Sequence, residues 1–589
     1  AVGDEDWRRA RHFIARLGRR ERQHAIVVKW QNDLAARADR LIASSQAAAV
    51  GGRHDEAYAI AREATRVWPT GSNVRPGFER AARRFQQLQV GVTRLAGDPT
   101  VFPLATAAEE RERRLVTTDL FEIDRLGESP HYRTRFFEQW EPADLGREAV
   151  FTLRQSRSYW ESQPVVTAQS VVATLARRLD PGDPAYDERL DSYIRSLTIR
   201  SPFQVHVAFD RVPLRTEMMF TFPAEEFPEP VRDEEPAGAS DSGPPEPAVP
   251  ASAPLLTRRF VRHDRTDDVA VYRRAFPEPD GVAEFHAAEV VERKYDTHDR
   301  AVQGLLRGEV SVLPHVESRD VARLREDGRF FVQEYALPYV HLVQFNPRSR
   351  ALRQREFRRA LAYGLDRRKI LNDLVLGGAA GQGRIVTAAW STRSYAYNTI
   401  VRPRECDPTQ ALALSLAAKT ALKAELPELK LVCDPDATMR RAAAEMIRQW
   451  DIAGLKVALV PDDGPPVDLQ SAEWDILYRR LKMVEPVTEL WPLLVLEDRA
   501  RVESLASVPD WLRQKLIALD DETNWNAAVR QLHDLQQDLW GEALWIPLFE
   551  VDDFMVVRKN IRGLAAAPMH AYHKLEEWIV DPWYPTETP

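Results

Sequence analysis

The sequence predicts an α/β protein made of several compact units, with a helical extension at its N-terminus. The chain has 589 residues, which is too long for a single hydrophobic core. From about residue 115 onward, short segments with alternating apolar residues, as in strands, are followed by segments whose apolar residues recur at helical spacing. This alternation is typical of α/β proteins. Residues 1–95 instead carry apolar residues at helical intervals among many Arg and Ala residues.

The overall composition is that of an ordinary soluble globular chain and argues against two classes of protein. Hydrophobic residues make up 44% and charged residues 29% of the sequence, as in most globular domains. The 81 basic and 89 acidic residues give a net charge of −8, which argues against a general nucleic-acid-binding protein. No apolar run is long enough to cross a membrane. Because the chain begins at Ala1 without Met, it looks trimmed, either by removal of a signal peptide or by design.

Residues 1–95 read as helical throughout and form the N-terminal extension. Asp55 is a suitable helix N-cap, and the small residues from Ala57 to Ala64 make a face that another helix can approach closely. This piece resembles part of one tetratricopeptide-type repeat. Two interpretations remain open: the helices pack on the main body, or they dock a protein partner.

Residues 224–254 differ in composition from the rest of the chain. They are rich in Pro, Glu, Ala and Ser and nearly free of aromatic residues. Such a segment cannot bury enough apolar surface to fold, so we predict a disordered surface insertion. Binding of a partner by this acidic, proline-rich segment is the alternative interpretation.

The remaining segments predict strands and helices in alternation. Thr167 is placed to cap a helix that carries Val171 and Leu175 inward. Gly308 is placed to end another helix in a left-handed turn. The segments predicted as strands are 150–154, 191–199, 204–209, 284–294, 429–433, 452–460 and 473–478.

Residues 339–376 organise the second half of the chain. Their first part alternates apolar residues and predicts a buried strand, which Asn346-Pro347 ends. A basic helix follows, with Phe357, Leu361 and Leu365 at intervals of four on one face.

Three motifs in this part of the chain resemble those of one known family. The first is Phe345-Asn346 followed by Phe357-Arg-Arg-Ala-Leu-Ala-Tyr-Gly-Leu-Asp-Arg-Arg-Lys-Ile370, the second is Leu305-Leu-Arg-Gly-Glu-Val-Ser-Val312, and the third is Asp407-Pro408 with Ala411. They are similar to the motifs of family 5 extracellular solute-binding proteins, the peptide- and nickel-type receptors of ABC importers. The resemblance covers residues 115–575, apart from the insertion.

The resemblance implies a two-lobed α/β fold like that of periplasmic binding proteins, of type II and the large peptide-binding class. The helical extension is an addition to that fold. In this interpretation residues 96–336 form lobe I with the insertion inside it, residues 337–547 form lobe II, and residues 548–589 return to lobe I.

The implied function is binding of an oligopeptide or similar solute between the lobes by hinge closure, followed by delivery to an ABC permease in the membrane. The protein is then expected outside the cytoplasm, in the periplasm or at the cell envelope with its signal peptide removed. It is expected to be a monomer without a cofactor or a nucleic-acid partner. The alternative is a scaffold or sensor that keeps the fold, has lost transport and uses the helical extension for protein partners. No sequence motif supports an enzyme.

Aromatic and polar residues near the expected cleft are candidate ligand contacts, because peptides need apolar walls and polar partners. Tyr339 begins the organising strand, Asn346 ends it, and Trp390 follows a Gly-rich segment where the family lines its cleft. Tyr159 and Trp160 stand where the family has a His-Asp-Gly turn. For each aromatic residue, packing in the core or on the surface is the competing interpretation.

Arg479 and Glu485 are further candidates, in a segment that reads as a loop after the strand 473–478. Peptide receptors of the family carry Gly-Trp-x-x-Asp-Tyr-x-x-Pro here, and the Asp neutralises the ammonium group of the peptide. This chain reads Tyr-Arg-Arg-Leu-Lys-Met-Val-Glu-Pro486 and lacks the Trp, Asp and Tyr. Glu485 is the nearest acid. The basic residues favour an anionic group if they face the cleft, and form a solvated turn if they face water.

The sequence indicates neither a metal site nor a cofactor. His286, His298, His315 and His341 are scattered without the spacing of metal ligands. Cys406 and Cys433 are the only cysteines in the sequence. They form a disulfide or stay as free thiols, depending on the compartment and on their distance.

Overall fold

Two β-sheets of seven and six strands form the body of the protein, as seen in the computed structural model. The structure describes residues 6–154, 167–224, 260–274, 286–497 and 501–584, apart from residues 22, 380, 502 and 583. Residues 225–254 of the predicted insertion and the candidates Tyr159 and Trp160 lie outside the described residues. Of the helices in the described ranges, none combines the length and the apolar character that a membrane span needs.

The N-terminal extension consists of helices that precede the first sheet strand. They are α1 (Trp7–Arg20), α2 (Ala25–Val50), α3 (His54–Val67) and α4 (Val74–Arg84). The small-residue face of α3 is buried, since Ala57, Ala61 and Ala64 pack closely against neighbouring helices. The helical prediction is wrong after Arg84, because β1 (Gln86–Val92) is a strand whose apolar residues enter the core of the seven-stranded sheet.

The extension packs against the body of the protein through specific contacts. Arg62 Nη1 donates to Gln87 Oε1 of β1 at 3.0 Å, and the Tyr584 hydroxyl donates to the carbonyl of Pro69. The rings of Phe78 and Tyr584 lie 5.9 Å apart between centroids. These contacts support the interpretation that the helices pack on the main body.

A small four-stranded sheet follows along the chain. This region comprises α5 (Ala107–Val116), β2 (Glu122–Arg125), β3 (His131–Arg133), β4 (Phe137–Ala143), β5 (Glu148–Leu153), α6 (Ala168–Leu179), α7 (Glu188–Tyr193), β6 (Ile194–Ser201) and β7 (Gln204–Phe209). The strand order is β4-β5-β7-β6. The strands predicted at 191–199 and 204–209 are found as β6 and β7, and they pair as an antiparallel hairpin. The predicted cap is confirmed as well, because the Thr167 hydroxyl accepts the Ser170 N–H at 3.2 Å.

Most strands of the seven-stranded sheet come next. The elements are β8 (Phe260–Arg265), β9 (Val269–Arg274), β10 (Ala287–Lys294), α8 (His298–Arg307), β11 (Val312–Leu313), α9 (Ser318–Glu326) and β12 (Phe330–Glu334). Helix α8 ends as predicted, since Gly308 has a φ of 80° and lies in the left-handed region.

The six-stranded sheet forms the centre of lobe II. Its strands are β13 (Tyr339–Phe345), β14 (Gly383–Ile385), β15 (Leu429–Cys433), β16 (Val457–Leu459), β17 (Ile476–Leu481) and β18 (Trp545–Val551), in the order β14-β18-β13-β17-β15-β16. Its helices are α10 (Arg355–Tyr363), α11 (Arg367–Lys369), α12 (Pro408–Leu422), α13 (Ala437–Ile452), α14 (Pro486–Val495), α15 (Asp510–Asp520) and α16 (Trp525–Glu542). The predicted buried strand is confirmed in β13, and Phe357, Leu361 and Leu365 share its core.

The chain passes between the two lobes twice. The first crossing leads from β12 to β13, and the second leads from β18 through Asp552 and Asp553 to β19 (Phe554–Arg558). Strand β19 completes the seven-stranded sheet in the order β12-β19-β11-β1-β10-β9-β8, and β20 (Ile561–Arg562) and β21 (Ile579–Val580) follow it. The chain leaves the six-stranded sheet after Val551 and not at residue 547, because Val551 still pairs with Tyr339. Two adjacent crossings of this kind are the usual hinge of a two-lobed protein.

A buried ion pair ties the second crossing to both lobes. Lys482 Nζ of lobe II lies 2.7 Å from Asp553 Oδ2, and His315 Nδ1 of lobe I lies 2.7 Å from Asp553 Oδ1. Burial by itself raises the pKa of Asp553, but Lys482 and His315 outweigh it and lower that pKa to about 2. The crossing therefore holds a carboxylate that stays charged because of its two partners.

We expect the substitution Lys482→Met to lower the free energy of unfolding by about 3 kcal/mol, because it leaves the Asp553 carboxylate buried without its main partner. Urea unfolding at neutral pH measures this loss. The double variant Lys482→Met with Asp553→Asn should regain part of it, since no buried charge is then left unpaired. If the loss of unfolding free energy in the double variant equals the sum of the losses in the two single variants, the two side chains do not stabilise each other.

Candidate functional site

A cavity of about 560 Å³ lies between the two lobes. Lobe I lines it with α5 and the segment that follows, and lobe II lines it with the end of β17 and with α14. Tyr335 and Asp553 from the two crossings complete the lining. The volume falls in the range of roughly 300–1,000 Å³ that is usual for small-ligand sites in proteins.

Two helix starts place polar groups at this cavity. Helix α5 begins with a capping box, in which Thr106 and Glu109 exchange side-chain and backbone hydrogen bonds. Helix α14 begins with Pro486 after Glu485 as its N-cap residue. Glu489 Oε1 accepts the backbone N–H groups of Val484 at 3.2 Å and Glu485 at 2.8 Å, which anchors the turn before α14.

Arg479 and Arg480 lie on a strand and not in the loop that the sequence predicted. Strand β17 continues to Leu481 because Arg479 pairs with Leu342 and Arg480 with His341 of β13. Pairing with a buried central strand overrides the charged composition of this segment. Both arginine side chains line the cavity.

The Arg479 guanidinium has few partners within the protein. Its Nη1 donates to Gln344 Oε1 in a long hydrogen bond of 3.4 Å, and its buried Nε has no hydrogen-bond partner among the described residues. Burial lowers the pKa of Arg479 to about 10, and the more distant Asp434 only partly opposes this shift. The cavity thus contains a cation that lacks a matching anion in the described part of the chain.

Arg480 and Lys482 are, by contrast, paired within the protein. Arg480 lies 3.4 Å from Asp436 and 3.8 Å from Asp434, and Lys482 pairs with Asp553. When the family motif is aligned on Pro486, Lys482 stands where that motif has its Asp. This position therefore carries a positive charge where the family motif has a negative one, and Asp553 already neutralises that positive charge.

Tyr339 lies in the cavity lining between these two cations. Its ring centroid is 5.2 Å from the Arg480 guanidinium and 4.3 Å from Lys482 Nζ. Burial is the main reason that the pKa of Tyr339 is raised above its ordinary value. The ring thus provides a neutral aromatic wall stiffened by cation–π contacts.

Glu485 lines the cavity but is occupied by two tyrosines. Its Oε2 accepts the Tyr132 hydroxyl of lobe I at 2.8 Å, and its Oε1 accepts the Tyr395 hydroxyl of lobe II. Burial raises the pKa of Glu485, although both hydroxyls act to lower it. In this conformation Glu485 connects the lobes.

Asn346 and Trp390 lie outside the cavity lining. Asn346 Nδ2 donates to the carbonyls of Ser471 at 3.0 Å and Trp474 at 2.7 Å, which fixes the end of β13. Trp390 is fully buried in the core of lobe II, and its Nε1 donates to the Ala396 carbonyl at 2.9 Å. The structure therefore gives both side chains a packing role and does not bring them to the ligand cavity.

Several charged residues of the cavity were not recognised from the sequence. On α5, Arg113 and Arg114 pair with Glu110 at 3.0 and 2.9 Å and also contact Asp119. On α14, burial raises the pKa of Glu489 to about 7. The only signal for Glu489 was its place four residues after the helix N-cap, and that pattern predicts capping, not ligand binding.

The candidate histidines and the two cysteines do not form a common site in the described part of the chain, although the ring centroids of His298 and His315 lie 6.4 Å apart. His341 is buried beside the Tyr478 hydroxyl at 2.8 Å, and burial lowers its pKa to about 3. His286 contacts the Trp578 carbonyl, and His298 contacts Asp320. Within the described ranges no three His, Cys, Asp or Glu side chains converge as metal ligands do. Cys406 is exposed, Cys433 is buried, and both are free thiols.

Comparison with known proteins supports the two-lobed arrangement. "Probable di/tripeptide-binding protein 5" of Pseudomonas aeruginosa is 24% identical over 471 residues, which cover 73% of this chain and 84% of that protein. The oligopeptide-binding protein AppA from Bacillus subtilis, solved with a nonapeptide, matches with a TM-score of 0.65 at 12% identity over 85% of this chain and 99% of its own. DppA from Helicobacter pylori, solved with the peptide STSA, matches with a TM-score of 0.61 at 12% identity over 85% of this chain and 100% of its own.

A family model settles the classification. The model described as "Bacterial extracellular solute-binding proteins, family 5 Middle" matches residues 132–481, more than half of the chain. The resemblance inferred from the sequence motifs is thereby confirmed, and the solved structures confirm the two-lobed α/β fold. The chain belongs to family 5 of the bacterial extracellular solute-binding proteins.

Proposed function

We propose that this protein is the extracytoplasmic receptor of an ABC importer, and that it binds a short peptide in the cavity between its lobes. The observation that carries this proposal is the cavity itself, because residues of both lobes and of both crossings line it. A ligand there contacts both lobes at once and so favours the closed form. The receptor then works as a monomer that presents its closed form to a membrane permease.

A short peptide suits the chemistry of this cavity better than a long one. Its volume of about 560 Å³ is that of a site for a small ligand. The relative from Pseudomonas aeruginosa is described as a di/tripeptide-binding protein. Tyr339 offers an aromatic wall, and Arg479, which has no ion-pair partner in the described ranges, offers a cation for a carboxylate.

Contacts away from the cavity support a closed conformation of the lobes. Asp520, at the end of α15 in lobe II, lies 2.5 Å from Arg189 and 2.9 Å from Arg211, both of the small sheet region of lobe I. The Tyr193 hydroxyl donates to the Asp520 carbonyl. These contacts break when the lobes separate, so they set part of the equilibrium between open and closed forms.

The first test is a library of di- and tripeptides, measured by thermal shift and by calorimetry. We expect binding by the unchanged protein and about 10- to 100-fold weaker binding by Arg479→Ala, because a charge-assisted hydrogen bond contributes about 1.5–3 kcal/mol. Arg368→Ala, at an exposed arginine of lobe II paired with Glu405, is the matched control and should bind as the unchanged protein does. The absence of any heat or shift with every peptide would contradict a peptide receptor and favour a scaffold or sensor.

The second test addresses closure. We expect Asp520→Asn to weaken peptide binding about tenfold although Asp520 lies outside the cavity lining, because the closed form loses ion pairs worth about 1.4 kcal/mol. Asp510→Asn removes a carboxylate at the other end of the same helix, where Arg513 is the one ion-pair partner of Asp510 among the described residues. That control should leave affinity unchanged. Equal affinities for both variants would show that these lobe contacts do not govern binding.

A further inference from the structure

Helix α1 of the N-terminal extension is strongly basic in a protein whose net charge is −8. It contains six arginines and no acidic residue within Trp7–Arg20. The family model matches residues 132–481, so this helix lies outside the matched part of the chain. A local excess of positive charge on an acidic protein indicates a surface that attracts an anionic partner.

One face of α1 is already used for packing inside the protein. Trp7, Ala10 and Ile14 are buried against the other helices of the extension. Trp7 Nε1 donates to Glu63 of α3 at 3.1 Å, and the Arg37 guanidinium of α2 lies 4.5 Å from the centroid of the Trp7 ring. These contacts fix the rotation of α1 about its axis, so the opposite face points to solvent.

The solvent-facing side of α1 is the basic face of the extension. Its exposed arginines are Arg9, Arg16, Arg19 and Arg20. Within the described ranges none of these four guanidinium groups takes part in an ion pair. Other arginines on the surface of the extension do, as Arg53 does with Glu56 at 2.8 Å. The basic face therefore presents four positive charges, within about three helical turns, that no acidic side chain compensates.

Apolar side chains are exposed beside these charges. Phe13 of α1 is 51% exposed, and Ile26 and Val28 in the first turn of α2 are 55% and 42% exposed. Val27 packs against Gly18, which brings the first turn of α2 alongside the last turn of α1. Exposed apolar residues mixed with cations are typical of protein surfaces that bind at the headgroup region of a membrane.

We propose that the basic face of α1, together with the first turn of α2, binds a membrane surface that contains anionic phospholipids. Lipid phosphates pair with the four arginines, and Phe13, Ile26 and Val28 enter the headgroup region. Mobile phosphates suit arginines that no acidic residue holds in a fixed geometry. The family consists of extracellular proteins, which favours a lipid surface over nucleic acid as the anionic partner.

This inference goes beyond the proposed function and does not depend on the ligand of the cavity. The residues that line the cavity begin at Leu104, after the extension. Peptide binding between the lobes and membrane binding by the extension can therefore be measured separately.

The test measures how much protein sediments together with phospholipid vesicles in about 0.1 M salt. One set of vesicles contains phosphatidylcholine alone, and the other contains phosphatidylcholine with about one third of anionic phosphatidylglycerol. We expect binding to the anionic vesicles only. This binding should disappear at about 1 M salt, where charges are screened over about 3 Å. Equal binding to both sets, or to neither, would overturn the inference.

The triple variant Arg16→Gln, Arg19→Gln and Arg20→Gln tests the basic face itself. We expect it to bind anionic vesicles about 100-fold more weakly, because each arginine near such a surface increases affinity roughly fivefold. The three side chains are exposed, so the variant should keep the melting temperature of the unchanged protein.

A matched control removes the same charge from lobe II. The triple variant Arg368→Gln, Arg441→Gln and Arg448→Gln changes three exposed arginines and should bind anionic vesicles as the unchanged protein does. An equal loss in both triple variants would show that total charge, and not the basic face, governs binding, and would overturn the inference.

Phe13→Ala separates a lipid surface from an acidic protein as the partner. This variant should bind anionic vesicles about three- to tenfold more weakly, because an apolar side chain no longer leaves water for the headgroup region. Soluble polyglutamate offers negative charge without such a region, so the unchanged protein should bind it more weakly than it binds the vesicles. If polyglutamate binds as tightly and Phe13→Ala has no effect, the partner is not a lipid surface.

Peptide binding by the same variants keeps this inference apart from the proposed function. The triple variant of the basic face should bind peptides as the unchanged protein does, since its substitutions lie outside the cavity lining. If the unchanged protein binds peptides but not anionic vesicles, the inference fails while the proposed function stands. If it binds anionic vesicles but no peptide, the proposed function fails while the inference stands.

Discussion

The double passage of the chain between two sheets is the constraint on which the rest of this structure depends. Each sheet forms the centre of its own lobe. The lobes can therefore move relative to one another only by changes in the crossings that follow β12 and β18. The crossings also line the cavity, through Tyr335 and Asp553. The ion pair of Asp553 with Lys482 joins a crossing to lobe II. The cavity and the two crossings therefore share residues, and binding of the proposed ligand in this cavity would be coupled to closure of the lobes.

The electrostatics of the cavity follow from its position between the lobes. Side chains there are removed from water on most sides, so charges require partners or shift their pKa values. Most cations and anions meet these needs by pairing, as Arg480 does with Asp436. Arg479 has no ion-pair partner among the residues that the structure describes, and burial lowers its pKa to about 10.

Much of the fold was predictable because it depends on local patterns. The strand β13, the helix after it and the left-handed end of α8 at Gly308 follow from apolar spacing and from the conformational freedom of glycine. The strand β1 was missed because its apolar alternation continues a long helical region without a clear break. The sequence predicted a loop at Arg479 because charged residues are uncommon in buried strands. The segment is a strand because it pairs with the buried strand β13. Local propensity fails where long-range pairing decides the conformation.

The sequence by itself determined the family, the α/β class and the existence of two lobes, since these rest on motifs and periodicities that lie within short stretches of chain. Only the tertiary structure decided which side chains face the cavity. Tyr339, Arg479 and Glu485 meet there, whereas Asn346 and Trp390 are held by hydrogen bonds inside lobe II. The reason is physical: whether a charged or aromatic group is free for a ligand depends on partners that are hundreds of residues away, as Tyr132 is from Glu485.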